Sequence, residues 1–222
     1  MSSVGHSMMR WFRGEGASQA ASATAPGQAP PVMRHSAGLL EFMRRMDGAD
    51  KLCVLDLGQT SPVNISCLTE RGARVYNEDL LRAFEEKSYM VRQADGAEHF
   101  DLDAFFAENF AYTEGQLDAI LFWDIAGYLP EPVVKPIVER IHKMLKPGGA
   151  ILALFHTRDA GPDAPYFRYN IRQNDTLELI QGPNFRLKRV FNTRHVENLF
   201  RDFASIKFFL GRDHIREVLV VR

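Results

Sequence analysis

Acidic residues at three places in this chain stand where a strand would end. Asp56 follows the run Leu52–Leu55, Glu78-Asp79 follow Ala73–Asn77, and Asp124 follows Leu117–Trp123. A carboxylate at a strand tip is aimed by the strand and uncovered by the turn after it. In open parallel sheets, ligands bind beyond the carboxyl ends of the strands. Acids there can accept hydrogen bonds from ligand hydroxyls and amines, or take a proton from a reacting group. Gly58 lies two residues beyond Asp56, where a turn without a Cβ can bring backbone close to a ligand. Gln59, Thr60, Ser61 and Pro62 follow, so the turn has one glycine where such loops usually have two or three.

Each position also has a bland reading. Asp56 can simply hold its turn by accepting backbone N–H groups. Glu78-Asp79 can be an ordinary helix start, where the dipole favours acids. Asp95 reads as a polar loop residue, or as the tip of a further strand. Trp123 reads as core or pocket wall. Tyr128 and Leu129 read as packing residues, with Tyr128 the one that could border a substrate. His156 reads as a satisfied histidine at a strand end or as a base. The spacing of His, Cys and Asp supports no metal site, and there is no G-x-S-x-G nucleophile motif.

The elements that must position these residues alternate. Leu39, Leu40, Phe42, Met43 and Met46 recur at helical spacing. A strand at 52–57 follows, then Ser61-Pro62, a helix start in which Ser accepts free N–H groups and Pro loses nothing. That helix is expected to run to Arg71, with Gly72 ending it. A strand over 73–77 leads to a helix over LLRAFEEK, residues 80–87. MVRQAD, residues 90–95, is expected as a short third strand ending at Asp95, and DLDAFFAENF reads as a helix. Leu117–Trp123 is apolar enough for a strand buried on both faces. A helix from about Glu131 to Leu145 carries Pro136, and a strand spans Ala150–Phe155. Residues 157–190 are loop-rich, with short strands expected over Thr176–Ile180 and Arg186–Val190. A helix capped by Asn192 or Thr193 precedes strands Ala204–Leu210 and Ile215–Val221, whose short connection makes them an antiparallel hairpin.

The chain of 222 residues is long enough for one sizeable domain with a complete core. Its net charge of −1 gives no electrostatic case for nucleic acid or an anionic membrane. No apolar run reaches the roughly 18 residues of a membrane span. Cys53 and Cys67 sit on apolar segments and are read as buried small hydrophobes, which suits a cytoplasmic setting. Residues 1–31 are rich in Ala, Ser, Gly and Pro and are expected to be a disordered tail. A basic-apolar patch at Met8–Arg13 reads as a floppy leader or an anchor.

These parts resemble the class I S-adenosylmethionine-dependent methyltransferases over about residues 35–222, within a domain expected over 32–222. The likeness is carried by LDLG at 55–58, the acidic pair at 78–79, LDAILFWDIAGYL at 117–129, LKPGGAILAL at 145–154 and the terminal hairpin. The resemblance implies a three-layer α-β-α sandwich around a seven-stranded, mostly parallel Rossmann-like sheet with an antiparallel last strand. A nicotinamide-binding domain would lack that hairpin and would carry G-x-G-x-x-G, where this chain has G-Q-T-S-P-V. The implied cofactor is S-adenosylmethionine. Asp56, Gly58, Gln59 and Thr60 would meet its amino acid end, Glu78 or else Asp79 its ribose, Asp95 its adenine, and Trp123 its methionyl portion. Asp124 would orient or deprotonate an unidentified acceptor, a small molecule or a protein side chain. Tyr166, Phe167, Arg168 and Tyr169 lie in a loop, 157–185, that is either a lid over the acceptor or a structural cover. Bulk after Gly58 would block the cofactor, or the Thr60 and Ser61 hydroxyls would bind its carboxylate. Two functions therefore stand: a methyltransferase, or a non-catalytic binding module on the same scaffold. The sequence is also similar to a branch of bacterial methyltransferase-like proteins with such a polar turn, an EDL after strand 2 and a WD...YL after strand 4.

Overall fold

The computed structural model describes residues 30–49, 51–86, 89–92, 96–157, 166–182, 185–211 and 214–222. The expected tail lies outside them but for its last two residues, as do Met8–Arg13 and Asp95.

The chain opens with β1 (Val32–His35) and α1 (Ala37–Met46). Ser36 caps α1 by accepting the Leu39 N–H at 3.0 Å, and Leu39, Phe42, Met43 and Met46 form its buried stripe. Each such side chain contributes about 1.5–3 kcal/mol by burial. β2 (Cys53–Asp56) leads through the turn to α2 (Pro62–Thr69), capped by Ser61. β3 (Arg74–Asn77), α3 (Leu80–Glu86), the short strands β4 (Met90–Arg92) and β5 (Glu98–Phe100), and α4 (Leu102–Asn109) follow. β6 (Leu117–Trp123) and β7 (Leu145–His156) flank α5 (Glu131–Met144). Pro136 lies inside that helix, near its start. β8 (Phe167–Gln173) and β9 (Thr176–Gln181) form a hairpin. α6 (Thr193–Leu199), β10 (Ser205–Leu210) and β11 (Ile215–Val221) complete the fold.

The main sheet has six strands among the described residues, in the order β10-β11-β7-β6-β2-β3. β7, β6, β2 and β3 are parallel, and β11 runs antiparallel to β7 and to β10. The terminal hairpin thus inserts its last strand between β10 and β7, as expected. α1 packs on one face, where Leu152 approaches Gly38. On the other face Phe155 meets Phe191 and Phe200 beside α6. Helices on both faces leave β6 buried but for the half-buried Asp118, which is why it reads as a near-continuous apolar run.

The expected third strand is not in this sheet. Residues 90–92 instead pair antiparallel with 98–100, apart from it. All three of Met90, Val91 and Arg92 are exposed, so the segment offers no apolar face to a buried position. Residues 186–190 are not a strand either; Lys188 and Arg189 donate to the Gly127 carbonyl at 2.8 and 3.1 Å. Cys53 and Cys67 are free and half-buried rather than buried.

A second, three-stranded antiparallel sheet, β1-β9-β8, was not anticipated. β8 lies against α2. Arg34 of β1 forms a buried ion pair with Glu217 of β11, whose other oxygen accepts the Gly38 N–H at 2.5 Å. This carboxylate joins the small sheet, the start of α1 and the main sheet. Removing one partner of a buried pair strands the groups that faced it. Glu217→Ala is expected to destabilise the chain by about 3–5 kcal/mol in urea unfolding. The exposed Arg201→Ala should shift stability by less than about 0.5 kcal/mol.

Candidate functional site

The site is built outward from Asp56. Its carboxylate is buried at the tip of β2. Oδ1 accepts the Gly58 N–H at 3.0 Å and the Trp123 Nε1–H at 2.7 Å, and Oδ2 accepts from Asn64 Nδ2 at 3.0 Å. Burial raises the Asp56 pKa above its ordinary 3.8, against the lowering pull of these three donors.

Trp123 ends β6 with φ +48°, in the left-handed region that a bulky residue rarely adopts. The turn lays its indole on Gly58: a Cβ there would lie 2.7 Å from Trp123 Cδ1. The indole also stacks on Tyr169, centroids 5.1 Å apart and planes 6° from parallel. Gly58 is therefore needed here to seat an aromatic ring of the chain itself.

The rest of the polar turn is similarly engaged. Asn77 Nδ2 donates to the carbonyls of Asp56 and Gly58, each at 3.0 Å, and the Thr60 hydroxyl donates to Asn77 Oδ1. Ser61 Oγ accepts the Asn64 N–H at 3.2 Å and donates to Asn170 Oδ1 at 2.6 Å. Asn64 also bonds the strand opposite, donating to the Tyr169 carbonyl at 2.9 Å and accepting the Ile171 N–H at 2.7 Å. Tyr166 faces the Gln59 backbone. Thr60 and Ser61 are thus committed to the chain's own partners.

Glu78, just past β3, is half-buried, and its Oε1 accepts from the Tyr112 hydroxyl at 2.7 Å. Burial, reinforced by that carboxylate, pushes the Tyr112 pKa well up. Asp79 accepts the Arg82 N–H at 3.3 Å, at the start of α3.

Asp124, beside Trp123, lies in a second cluster and is buried. Its Oδ2 accepts from the Tyr169 hydroxyl at 3.0 Å and lies 3.2 Å from His156 Nε2. The Tyr128 hydroxyl lies 3.3 Å from the same nitrogen. Oδ1 of Asp124 is buried without a hydrogen-bond partner among the described residues. Burial first, and the Asp124 charge second, push the Tyr128 and Tyr169 pKa values far up. A buried carboxylate, an imidazole and two tyrosines at adjacent strand ends can orient or deprotonate a bound group.

The structure brings together Asp56, Gly58, Gln59, Thr60, Trp123 and Asp124, with Glu78 and Asp79 at the neighbouring strand tip. Sequence reasoning missed Asn64, Tyr169 as an Asp124 ligand, and the His156–Asp124 contact. Asn64 had a signal: an amide inside an apolar helix is unfavourable unless it has partners. Among the described residues no group of three His, Cys, Asp or Glu side chains could hold a metal ion. A cleft of about 570 Å³ opens instead beside α5 and α6, lined by Glu131, Lys135, Arg189 and His195 and by none of the strand-tip acids.

No protein-family model and no curated protein matches the sequence. Solved structures do match. The 1,6-didemethyltoxoflavin-N1-methyltransferase of Burkholderia thailandensis, crystallised with 1,6-didemethyltoxoflavin and S-adenosylhomocysteine, superposes with a TM-score of 0.50 at 15% identity, over 83% of this chain and 76% of that one. An S-adenosylmethionine-dependent methyltransferase from Mesorhizobium loti gives 0.45 at 15% identity, over 84% and 98%. One from Aquifex aeolicus gives 0.45 at 13% identity, over 82% and 88%. The chain has the α/β fold of the class I S-adenosylmethionine-dependent methyltransferases.

Two outcomes follow from the packing. Gly58→Ala should cost about 1–3 kcal/mol by overpacking against Trp123. In a Trp123→Leu background the same change should cost less by on the order of 1 kcal/mol, in a double-mutant cycle of urea melts. Asp56 holds its proton more tightly in the folded chain than the 3.8 of a free carboxyl. Its contribution to stability is therefore present at low pH and lost as pH rises through the raised value. Asp56→Asn lacks this titration. Paired melts should show the native chain losing stability relative to D56N as the pH rises above 3.8.

Proposed function

We propose that this chain is an S-adenosylmethionine-dependent methyltransferase acting on a small molecule or a protein side chain. The observation that carries this reading is the row of acids at the tips of the adjacent strands β3, β2 and β6, with Asp124 keeping a buried oxygen unpartnered among the described residues. Orphaned buried acceptors are rare in structural roles and common where a ligand completes the bonding. Glu78 fits the donor's ribose: its Oε1 is held by Tyr112, and Oε2 has no hydrogen-bond partner among the described residues. Asp79 is the weaker ribose ligand because it serves α3. The chemistry supplied by the bound donor is a methyl group on a sulfonium, already a good leaving group. The chain's part is to orient the acceptor and exclude water. For the donor's amino acid end to reach Gly58, the Trp123 indole has to turn away, because no atom fits between them.

A second reading has its own support. The same seating of Trp123 on Gly58 and Asp56 fits a non-catalytic module that keeps the scaffold with a filled donor site.

Calorimetric titration with S-adenosylmethionine and S-adenosylhomocysteine separates the two. The enzyme reading expects saturable binding of both, weakened at least about tenfold, roughly 1.4 kcal/mol, by Glu78→Ala and little by Asp79→Ala. No heat at millimolar ligand would leave the module. A loss with Asp79→Ala alone would move the ribose to that residue.

A further inference from the structure

The cleft of about 570 Å³ beside α5 and α6 is lined by none of the strand-tip acids. Its volume is in the range that holds small organic ligands. Much of its lining is apolar. Val134 and Phe191 are buried, and Pro132, Pro136 and Leu199 lie beside them. Arg189 is held there twice, by an ion pair with Glu131 and by its guanidinium 5.1 Å from the centre of the Phe191 ring. The two partners of that ion pair are unequal: the Arg189 side chain is 29% exposed and that of Glu131 69%. Lys135 and Glu139, both exposed, pair with each other at 3.5 Å and cancel. His195 lines the same cleft, and its Nδ1 is buried without a hydrogen-bond partner among the described residues. We propose that this cleft is a second ligand site, for an aryl monocarboxylate whose carboxylate takes the place of Glu131 on Arg189. Neither a methyl donor nor the strand-tip acids take part in it.

Charge and ring chemistry set the ligand class. Arginine is always charged, and its planar fork matches a carboxylate. The carboxylate that Arg189 now holds belongs to a side chain in the first turn of α5. An ion pair so exposed to water contributes little. Once displaced, Glu131 still has a favourable place, because the helix dipole favours an acid near an N-terminus. Displacement is therefore cheap, and the incoming ligand also covers apolar lining that the exposed Glu131 leaves wet. A carboxylate supplies the acceptor that a protonated His195 Nδ1 lacks. The body of the ligand faces Phe191, Pro132 and Pro136. A flat ring packs offset or edge-on against Phe191 and loses less rotamer freedom on binding than an acyclic chain does. A second carboxylate on the ligand would meet the like charge of Glu139.

Titration of the full chain with 2-naphthoate tests this, read by calorimetry and by the proton–carbon resonances of His195 and Phe191. The expected result is saturable binding with Kd below about 1 mM, with both sets of resonances shifting. The neutral isostere 2-naphthylmethanol and the acyclic octanoate should each bind at least about tenfold more weakly. Arg189→Gln should weaken 2-naphthoate by at least about tenfold. Glu131→Gln, at an exposed side chain, should instead tighten it about two- to fivefold, because the competitor for Arg189 is gone. A merely structural ion pair predicts no such gain. If Arg189→Gln does not fold, the Glu131→Gln gain decides. No saturable binding at about 10 mM overturns the site. So do shifts at Trp123 and Tyr169 in place of His195 and Phe191. Octanoate binding as well as 2-naphthoate overturns the ring. Equal binding of the alcohol, or of 2-naphthoate by a folded Arg189→Gln, overturns the contact with Arg189. Binding by Glu131→Gln that is unchanged or weaker overturns the displacement.

Discussion

The buried carboxylate of Asp56 is the joint on which the site depends. It takes one hydrogen bond from its own turn, one from α2 and one from the end of β6. A buried charge is tolerated only when such partners satisfy it. Each partner is in turn held elsewhere. Trp123 packs on Gly58 and stacks on Tyr169, and Asn64 holds two backbone groups of β8. One carboxylate thus fixes the turn, the first crossover helix and the left-handed end of β6. Through Asn64 it also registers the small sheet on the large one.

The frame of this arrangement was legible in the sequence because its causes are local. Ser61-Pro62 announces a helix, and the helix is there with Ser61 as its cap. Leu117–Trp123 is apolar but for Asp118 because both its faces are covered, and the strand has those bounds. The terminal hairpin follows from two apolar runs and a short polar connection. What stayed hidden depends on distant contacts. Asn64 and Tyr169 are 105 positions apart, and nothing in either neighbourhood names the other. β1 has a place only because β9 pairs with it. Residues 186–190 were expected as a strand, but among the described residues no strand pairs with them to make a ladder. The acids were visible one by one; that Trp123 would cover the first and His156 join the last was not.

The single glycine of the turn takes a different meaning in this light. In a donor-binding loop, glycines keep room for a ligand. Here the room above Gly58 holds an indole, and the hydroxyls that follow are bonded to Asn77 and Asn170. The site is complete in its acids and closed at its glycine. Donor entry at this loop, as proposed, would be a competition. The donor's contacts with Glu78 and the turn would have to exceed the Trp123–Asp56 hydrogen bond and the Trp123–Tyr169 stack. Those two are worth about 1.5–3 and 0.5–1.5 kcal/mol. Ordinary ligand binding energies exceed that sum, and the backbone strain at Trp123 works in favour of release.

That competition is tested most directly by a crystal structure of the chain with S-adenosylhomocysteine. The predicted result is the ribose on Glu78, the amino acid end on the Gly58 turn, and the Trp123 indole rotated off Asp56. Trp123 unmoved on Gly58, with no ligand at Glu78, would contradict the account.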